Sequence, residues 1–360
     1  MTDTMSAVVI GAGHAASEAV TALRKEGFKG TITVIGEEPY YPYHRPPLSK
    51  TYLAEQQPPE SLYIRNPEIY EREGAAMLIG RRAVAIDRGA HEIMLADGDI
   101  VSYDRLVIAT GGRPRRLNLQ GADLPGIFYV RTIADIEAIR PRVRPGARAV
   151  VIGGGYIGLE AAAMLRKLGV GATVLEAAPR VLQRVTAPEL SAFYERVHRE
   201  EGVSVETDVR IAAVEGDQQV RAVRLLDGRV LDADFVVVGV GIDPAVEIAR
   251  DAGLTLENGI AVDDQCRTSD PDIFSAGDCA SFVSRHYGYR VRLESVQNAY
   301  EQARVAAAVI AGRAVVHDVI PWFWSDQFDL KLQITGLSQG YDEVVLRGDP
   351  RAGAVSRPST

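Results

Sequence analysis

The chain has 360 residues, 46% of them hydrophobic and 24% charged, with a formal net charge of −8. That length suits about two domains of roughly 150 residues, and the composition excludes a disordered tail, a collagen repeat and a small disulfide scaffold. The negative balance argues against general nucleic-acid binding, and no apolar run approaches the roughly 20 residues that span a bilayer.

Ala7-Val8-Val9-Ile10 is a short apolar run entering Gly11-Ala12-Gly13-His14-Ala15-Ala16. Residues 15–24 read as helix, and Thr31-Ile32-Thr33-Val34-Ile35 reads as a second strand closing on Gly36-Glu37. Leu106-Val107-Ile108-Ala109 runs into Thr110-Gly111-Gly112. The first unit then recurs: residues 148–152 lead into Gly153-Gly154-Gly155-Tyr156-Ile157-Gly158, a helix follows to Leu168, and Ala172-Thr173-Val174-Leu175 ends at Glu176. Two more apolar strands enter glycine turns, at 235–241 and at Ile273-Phe274-Ser275-Ala276-Gly277-Asp278.

This repeated unit has a specific physical use. Its first glycine makes a tight turn, its second admits a pyrophosphate to the backbone, and a small third residue lets helix and strand pack closely. An acidic residue about 20 positions on accepts hydrogen bonds from an adenosine ribose. Glu37 and Glu176 follow the third small residues, Ala16 and Gly158, by 21 and 18 positions. Two such units imply two dinucleotides, and the natural pair is a flavin and a nicotinamide, between whose rings hydride passes.

His44-Arg45-Pro46-Pro47-Leu48-Ser49-Lys50, residues 109–115, 153–160, 184–188, 276–280 and 294–299, and Pro321-Trp322-Phe323-Trp324-Ser325-Asp326-Gln327 carry a family resemblance. The chain resembles the FAD- and NAD-dependent ferredoxin reductases that serve cytochrome monooxygenases and Rieske-type oxygenases, from its first strand to about Arg347. The resemblance implies FAD contacts at Gly11, Gly13, Ala15, Glu37, Lys50, Ala83, Arg131, Asp278 and Val296, with Arg45, Thr110 and Gly111 also among the cofactor contacts. Glu37 would take the adenosine ribose, Ala83 the adenine, Asp278 the ribityl chain, and Arg131 the phosphates or polar edge of the flavin. NAD would lie on Gly153, Gly155, Tyr156, Ile157, Gly158 and Glu176. Lys50 and Glu160 would sit beside the flavin near the hydride path, and Trp324 with Trp322 would form an aromatic wall on the electron-exit side; Lys50, Glu160 and Trp324 are the implied catalytic groups.

Glu176 favours NADH. Hydrogen bonds from ribose hydroxyls to a charged group contribute roughly 1.5–3 kcal/mol each, whereas a 2′-phosphate at about 4 Å would be repelled by roughly 4 kcal/mol per charge pair. Arg180 and Arg184 lie nearby in sequence and would partly offset that repulsion. Related flavoenzymes that reduce disulfides carry redox cysteines near the flavin, but residues 39–47 contain none. Cys266 and Cys279 form no Cys-x-x-Cys pair, which suits reduced thiols in a cytoplasmic protein. The 6 histidines show no metal-ligand spacing, so no metal site is expected.

Electrons are therefore expected to leave singly, to a separate carrier, which the resemblance implies is a two-iron, two-sulfur ferredoxin. An acidic ferredoxin needs a local basic face on a chain of this charge, and Arg65, Arg72, Arg81, Arg82, Arg113, Arg115, Arg116 and Arg313 are the candidates. No nucleic acid or membrane partner is expected. A rubredoxin, a monodehydroascorbate-type acceptor and a flavin-binding redox sensor remain alternatives on the same scaffold. The expected fold is α/β: two Rossmann-like dinucleotide-binding domains plus an incomplete C-terminal α+β domain. FAD would occupy 1–111 and 242–310, NAD 112–241, and the partial interface domain 311–360. Family members continue further, so 349–360 reads as a polar, frayed tail.

Overall fold

The computed structural model describes residues 5–55 and 57–348. By internal contacts the chain divides into two units: residues up to 44, 58–113 and 243–323 make the first, and 45–57, 114–242 and those from 324 on make the second.

The first unit is built on a parallel five-stranded sheet in the order Ile273–Ser275, Arg105–Ile108, Ser6–Ile10, Thr31–Gly36, Ala75–Ile79. Strands covered on both faces must be apolar throughout rather than alternating, and residues 7–10 of the central strand are all buried. Val9 stands opposite Val34 on one side and Val107 on the other. Helices His14–Lys25 and Val296–Ile310 cover one face, where Ala16, Ala19 and Leu23 share a core with Ala303, Ala306 and Ala307. The small side chains allow the two helices a close approach. On the other face an antiparallel sheet, Ala83–Asp87, Glu92–Leu95 and Ile100–Ser102, buries Ile86, Ile93 and Leu95 with Val8, Ile10 and Ile108.

The second unit repeats the plan. Its parallel sheet runs Ser204–Glu206, Gly171–Leu175, Arg148–Ile152, Phe235–Val238, Ile127–Tyr129, with Val151 opposite Val174 and Val237. Helix Tyr156–Lys167 follows the central strand, and an antiparallel sheet, Ile211–Glu215, Ala222–Leu225 and Val230–Asp232, packs Val214, Val223 and Leu225 against Val150 and Ile152. Trp322–Gln327 and Leu330–Thr335 form a two-stranded hairpin, which turns at Phe328 with φ 55°. In both parallel sheets the strand order reverses beside the central strand, which opens a crevice at the carboxyl ends of the strands.

The contacts draw two boundaries differently from the expected ones. Residues 45–57 pack with the second unit, where Arg140 Nη2 donates to the Tyr52 carbonyl. Residues 311–323 stay with the first unit, where Trp322 N–H donates to Gln297 Oε1 at 2.8 Å. Among the described residues no helix is long and apolar enough to cross a membrane. The expected tail, 349–360, lies outside the described residues.

Candidate active site

In the first unit the Gly11–Ala16 turn is tight because it has to be. Gly11 has φ 115°, and a Cβ there would collide with the Ala109 carbonyl. Gly13, which caps the helix, faces open space and supplies no side-chain cap, and the first turn carries no acidic residue. The first-turn amides and the positive end of the helix dipole are thereby left for an anion. Gly277, with φ 86°, lies against Ala15 and Ala299, and its N–H donates to buried Gln302 Oε1 at 2.8 Å. Asp278 follows directly on this glycine, and Val296 is the first residue of the Ser295-capped helix that carries Ala299. Arg81 N–H donates to the Gly36 carbonyl at 2.8 Å, laying residues 81–83 along the end of the second strand. Glu37 is exposed there, with Arg82 Nε 3.8 Å from Oε1, whereas Glu38 accepts from the Tyr43 hydroxyl. Thr110 Oγ1 donates to the Ala245 carbonyl at 2.6 Å, and Gly111 adopts φ 68°.

The second unit carries the same turn with a difference at the acidic residue. Gly153 has φ 107° and approaches Gly239, and a Cβ on Gly158 would run into the Gly153 carbonyl. Gly155 faces open space and again leaves the helix without a side-chain cap. Glu176 is anchored: Oε2 accepts from Gly154 N–H at 2.6 Å and Oε1 from Ala178 N–H at 2.7 Å. A side chain on Gly154 would meet Val181 and Glu176, so this middle glycine, absent from the expected set, is required by the carboxylate beside it. Arg180 is committed to the Thr186 and Gln183 carbonyls and to Ser191 Oγ, which leaves Arg184 as the exposed neighbouring cation. Tyr156 and Ile157 open the helix, and burial, together with Tyr194 and Glu160, pushes the Tyr156 phenol pKa up.

Lys50 and Glu160 meet in the second unit. Glu160 is 4% exposed on helix Tyr156–Lys167, with Lys50 Nζ 2.9 Å from Oε2. Ser49 Oγ donates to the same oxygen at 2.6 Å, and Ser325 Oγ donates to Oε1 at 2.7 Å. Lys50 is placed by the 3-10 turn Pro46–Ser49, whose prolines pre-set the backbone, and it caps the following helix Thr51–Ala54. Arg45 Nη1 donates to the Arg131 carbonyl at 2.7 Å. The expected flavin contacts thus fall in both units: Gly11, Gly13, Ala15, Glu37, Ala83, Thr110, Gly111, Asp278 and Val296 in the first, and Arg45, Lys50 and Arg131 in the second. The two serines were not among the expected site residues. Both lie in the most specific motifs, but a serine has no periodicity to single it out, and only the fold sets 49 and 325 against 160.

Most of the candidate basic-face arginines are engaged within the protein. Arg65 binds Ser17 Oγ and Glu18, and Arg304 binds Glu18 from its other side. Burial works to raise the Glu18 carboxyl, but the hydrogen bonds from Arg304 and Arg65 outweigh it and hold it below its ordinary range. Arg81 pairs with Asp97 and Asp99, Arg313 with Glu26, Arg113 with Glu247 and Arg72 with Glu73. Arg116 lies over the Tyr129 ring at 4.1 Å. Trp322 and Trp324 are both half-buried on the hairpin strand. Cys266 and Cys279 are buried and free; Cys279 bonds to the Ile108 and Ala276 carbonyls, the packed thiol expected of it.

Comparison with known proteins adds the following. Residues 5–303 match the pyridine nucleotide-disulphide oxidoreductase family and residues 322–358 the reductase C-terminal family. The chain is 45% identical to putidaredoxin reductase CamA of Pseudomonas putida, over 95% of this chain and 82% of that protein. It is 44% identical to a ferredoxin–NAD(P)(+) reductase of a Sphingomonas species, over 99% of this chain and 87% of that one. A crystal structure of the covalent putidaredoxin reductase–putidaredoxin complex superimposes with a TM-score of 0.93 at 45% identity, covering 96% of this chain and 84% of that one.

Proposed function

The chain belongs to the pyridine nucleotide-disulphide oxidoreductase family, and from that premise we propose that it is an NADH-dependent ferredoxin reductase. It is an oxidoreductase that works with FAD and NAD, which when bound supply hydride transfer from nicotinamide to flavin and single-electron delivery onward. The observation that carries this reading is the pair of open helix N-termini, at Gly13 and Gly155, each uncapped and each at the end of the central strand of its own parallel sheet.

The residues present suit both groups. For FAD, the first turn offers room at Gly13 for a pyrophosphate, exposed Glu37 would take the adenosine ribose, Ala83, next to Arg82, the adenine, and Asp278, which follows Gly277, the ribityl chain. Gly11, Ala15, Thr110, Gly111 and Val296 complete that cradle, and Arg45 and Arg131 supply cationic donors. For NAD, Gly153, Gly155, Tyr156, Ile157 and Gly158 form the second turn, and anchored Glu176 presents its remaining lone pairs to the ribose. Because Arg180 is bound to backbone carbonyls, Arg184 is the one of these two arginines left to offset a 2′-phosphate. Lys50 and Glu160 serve the hydride step, Glu160 holding the ammonium in a fixed place. Trp324 lines the route by which electrons leave.

The partner is a ferredoxin, and we assign it the two-iron, two-sulfur type. The reduced, unpaired cysteines suit a cytoplasmic protein.

The test is anaerobic turnover of the purified protein with NADH and a two-iron ferredoxin, followed by the visible absorbance of the ferredoxin. Bleaching over many rapid turnovers is expected, with NADPH slower by roughly a hundredfold or more on the charge argument at Glu176. Flavin bleaching without ferredoxin reduction, or faster turnover with NADPH, would overturn the assignment.

A further inference from the structure

The buried carboxylate of Glu160 is the end of a longer polar chain in the second unit. Ser325, which is 0% exposed, donates to Glu160 Oε1 at 2.7 Å, and Gln327 Nε2 donates to Ser325 Oγ at 3.1 Å. Gln327 Oε1 lies 2.9 Å from Nε2 of His198, also 0% exposed, on helix Pro188–Glu200.

The direction of every bond follows from the anion. An ionised carboxylate only accepts, so the Ser325 hydroxyl spends its hydrogen on Glu160 and has lone pairs left for Gln327. The Gln327 amide must therefore turn its NH2 to Ser325 and its carbonyl to His198. A carbonyl also only accepts, which requires His198 to carry its hydrogen on Nε2. Burial keeps the ring neutral by lowering its pKa, and Nδ1 is left buried without a hydrogen-bond partner. His198 also meets the Phe328 ring edge-on, with centroids 5.0 Å apart.

We propose that Ser325, Gln327 and His198 are positioning residues for the Lys50–Glu160 pair, holding the carboxylate oxygen not bound to Lys50 so that the ammonium is presented in one orientation. This rests on the reading that Lys50 and Glu160 serve the hydride step. The hairpin is thus more than a cover: it supplies one of the two hydroxyls that fix Glu160, the other being Ser49. Lys167 provides an internal comparison. It lies seven residues, or two turns, beyond Glu160 on the same helix face, and its Nζ donates to the Phe328 carbonyl at 2.9 Å. It pins the same hairpin without touching the polar chain.

The wild-type holoenzyme gives the first readout. Long-range 1H–15N spectra of the histidine rings should show His198 as the neutral Nε2–H tautomer at neutral pH, and an Nδ1–H ring or an imidazolium there overturns the bond order argued above. Rapid mixing with NADH under anaerobic conditions gives the second. Ser325→Ala should slow flavin reduction about tenfold, as expected for one lost hydrogen bond to a charged group, with the Kd for NADH within about twofold of wild type. Ser325→Thr should recover most of the rate, and Lys167→Met should leave it unchanged. Equal slowing by Lys167→Met would mean that a loosened hairpin is enough, and would overturn the positioning role. Glu160→Gln separates the two levels of the argument. If it slows reduction and Ser325→Ala does not, the positioning role fails while the Lys50–Glu160 reading stands; if Glu160→Gln leaves the rate unchanged, both fall.

Discussion

His317 shows how burial alone gives a residue a pH dependence. The ring is buried against the Phe282 ring edge, with neither nitrogen hydrogen-bonded, and burial holds its pKa down at about 4 against the opposite pull of Asp318. In the unfolded chain an imidazole titrates near 6.5. Above that value His317 is neutral in both states and its contribution to stability is whole. As pH falls from about 6.5 to 4 the unfolded chain takes up the proton and the folded one does not, so roughly 3 kcal/mol of stability is lost across that window. His317→Leu should flatten this part of the stability–pH curve, measured by urea unfolding at several pH values. An unchanged slope would show that other groups set it. Glu176 illustrates the opposite situation: its position was readable from spacing, but its anchoring by Gly154 and Ala178 depends on backbone geometry that spacing does not report.

At the scale of elements, some helices begin on a side-chain cap and others, Pro188–Glu200 and Glu247–Asp251 among them, do not. Helix Ile133–Ile139 starts with a capping box from Thr132 and Asp135, and helix Val296–Ile310 with Ser295 Oγ accepting from Asn298 N–H at 3.1 Å. The two helices that follow glycine turns have no such cap. A cap satisfies the very amides that a phosphate needs, so at Gly13 and Gly155, where glycine also leaves open space, the proposed dinucleotides would find those amides available. Ser295→Ala should cost about 1 kcal/mol and lower the Tm measured by circular dichroism. It should also weaken FAD retention on dilution, because Val296 opens that helix. An unaltered Tm would mean that the packing of Ala303, Ala306 and Ala307 alone fixes the helix start.

At the scale of the molecule, the family carries dithiol chemistry in its name, but this chain is not arranged for it. Cys266 and Cys279 are both buried and unpaired, burial pushes the Cys266 thiol pKa up, and Cys279 is bonded to backbone carbonyls. A reactive cysteine needs an exposed, electropositive setting that stabilises the thiolate. Cys279→Ala should therefore keep NADH-driven ferredoxin turnover within about twofold of wild type, since it removes only a packed thiol. The wild-type enzyme should reduce an aromatic disulfide such as Ellman's reagent no faster than flavin alone. A large loss of turnover in the variant would place the thiol in the electron path.

The sequence by itself determined the two strand–turn–helix units, their glycines and the acidic residues that close them, because hydrophobic periodicity and the steric demands of a tight turn are local. It also determined the family, through motifs short enough to be read whole. Tertiary structure decided the rest. It assigned residues 45–57 to the second unit, joined Glu160 to Ser49 and Ser325, and tied Arg180 to carbonyls rather than leaving it for a phosphate. These are contacts between residues as far as 165 positions apart. Hydroxyls and guanidinium groups have no preferred burial period, so their partners are fixed only when the packing of the apolar strands and helices has set the backbone in place.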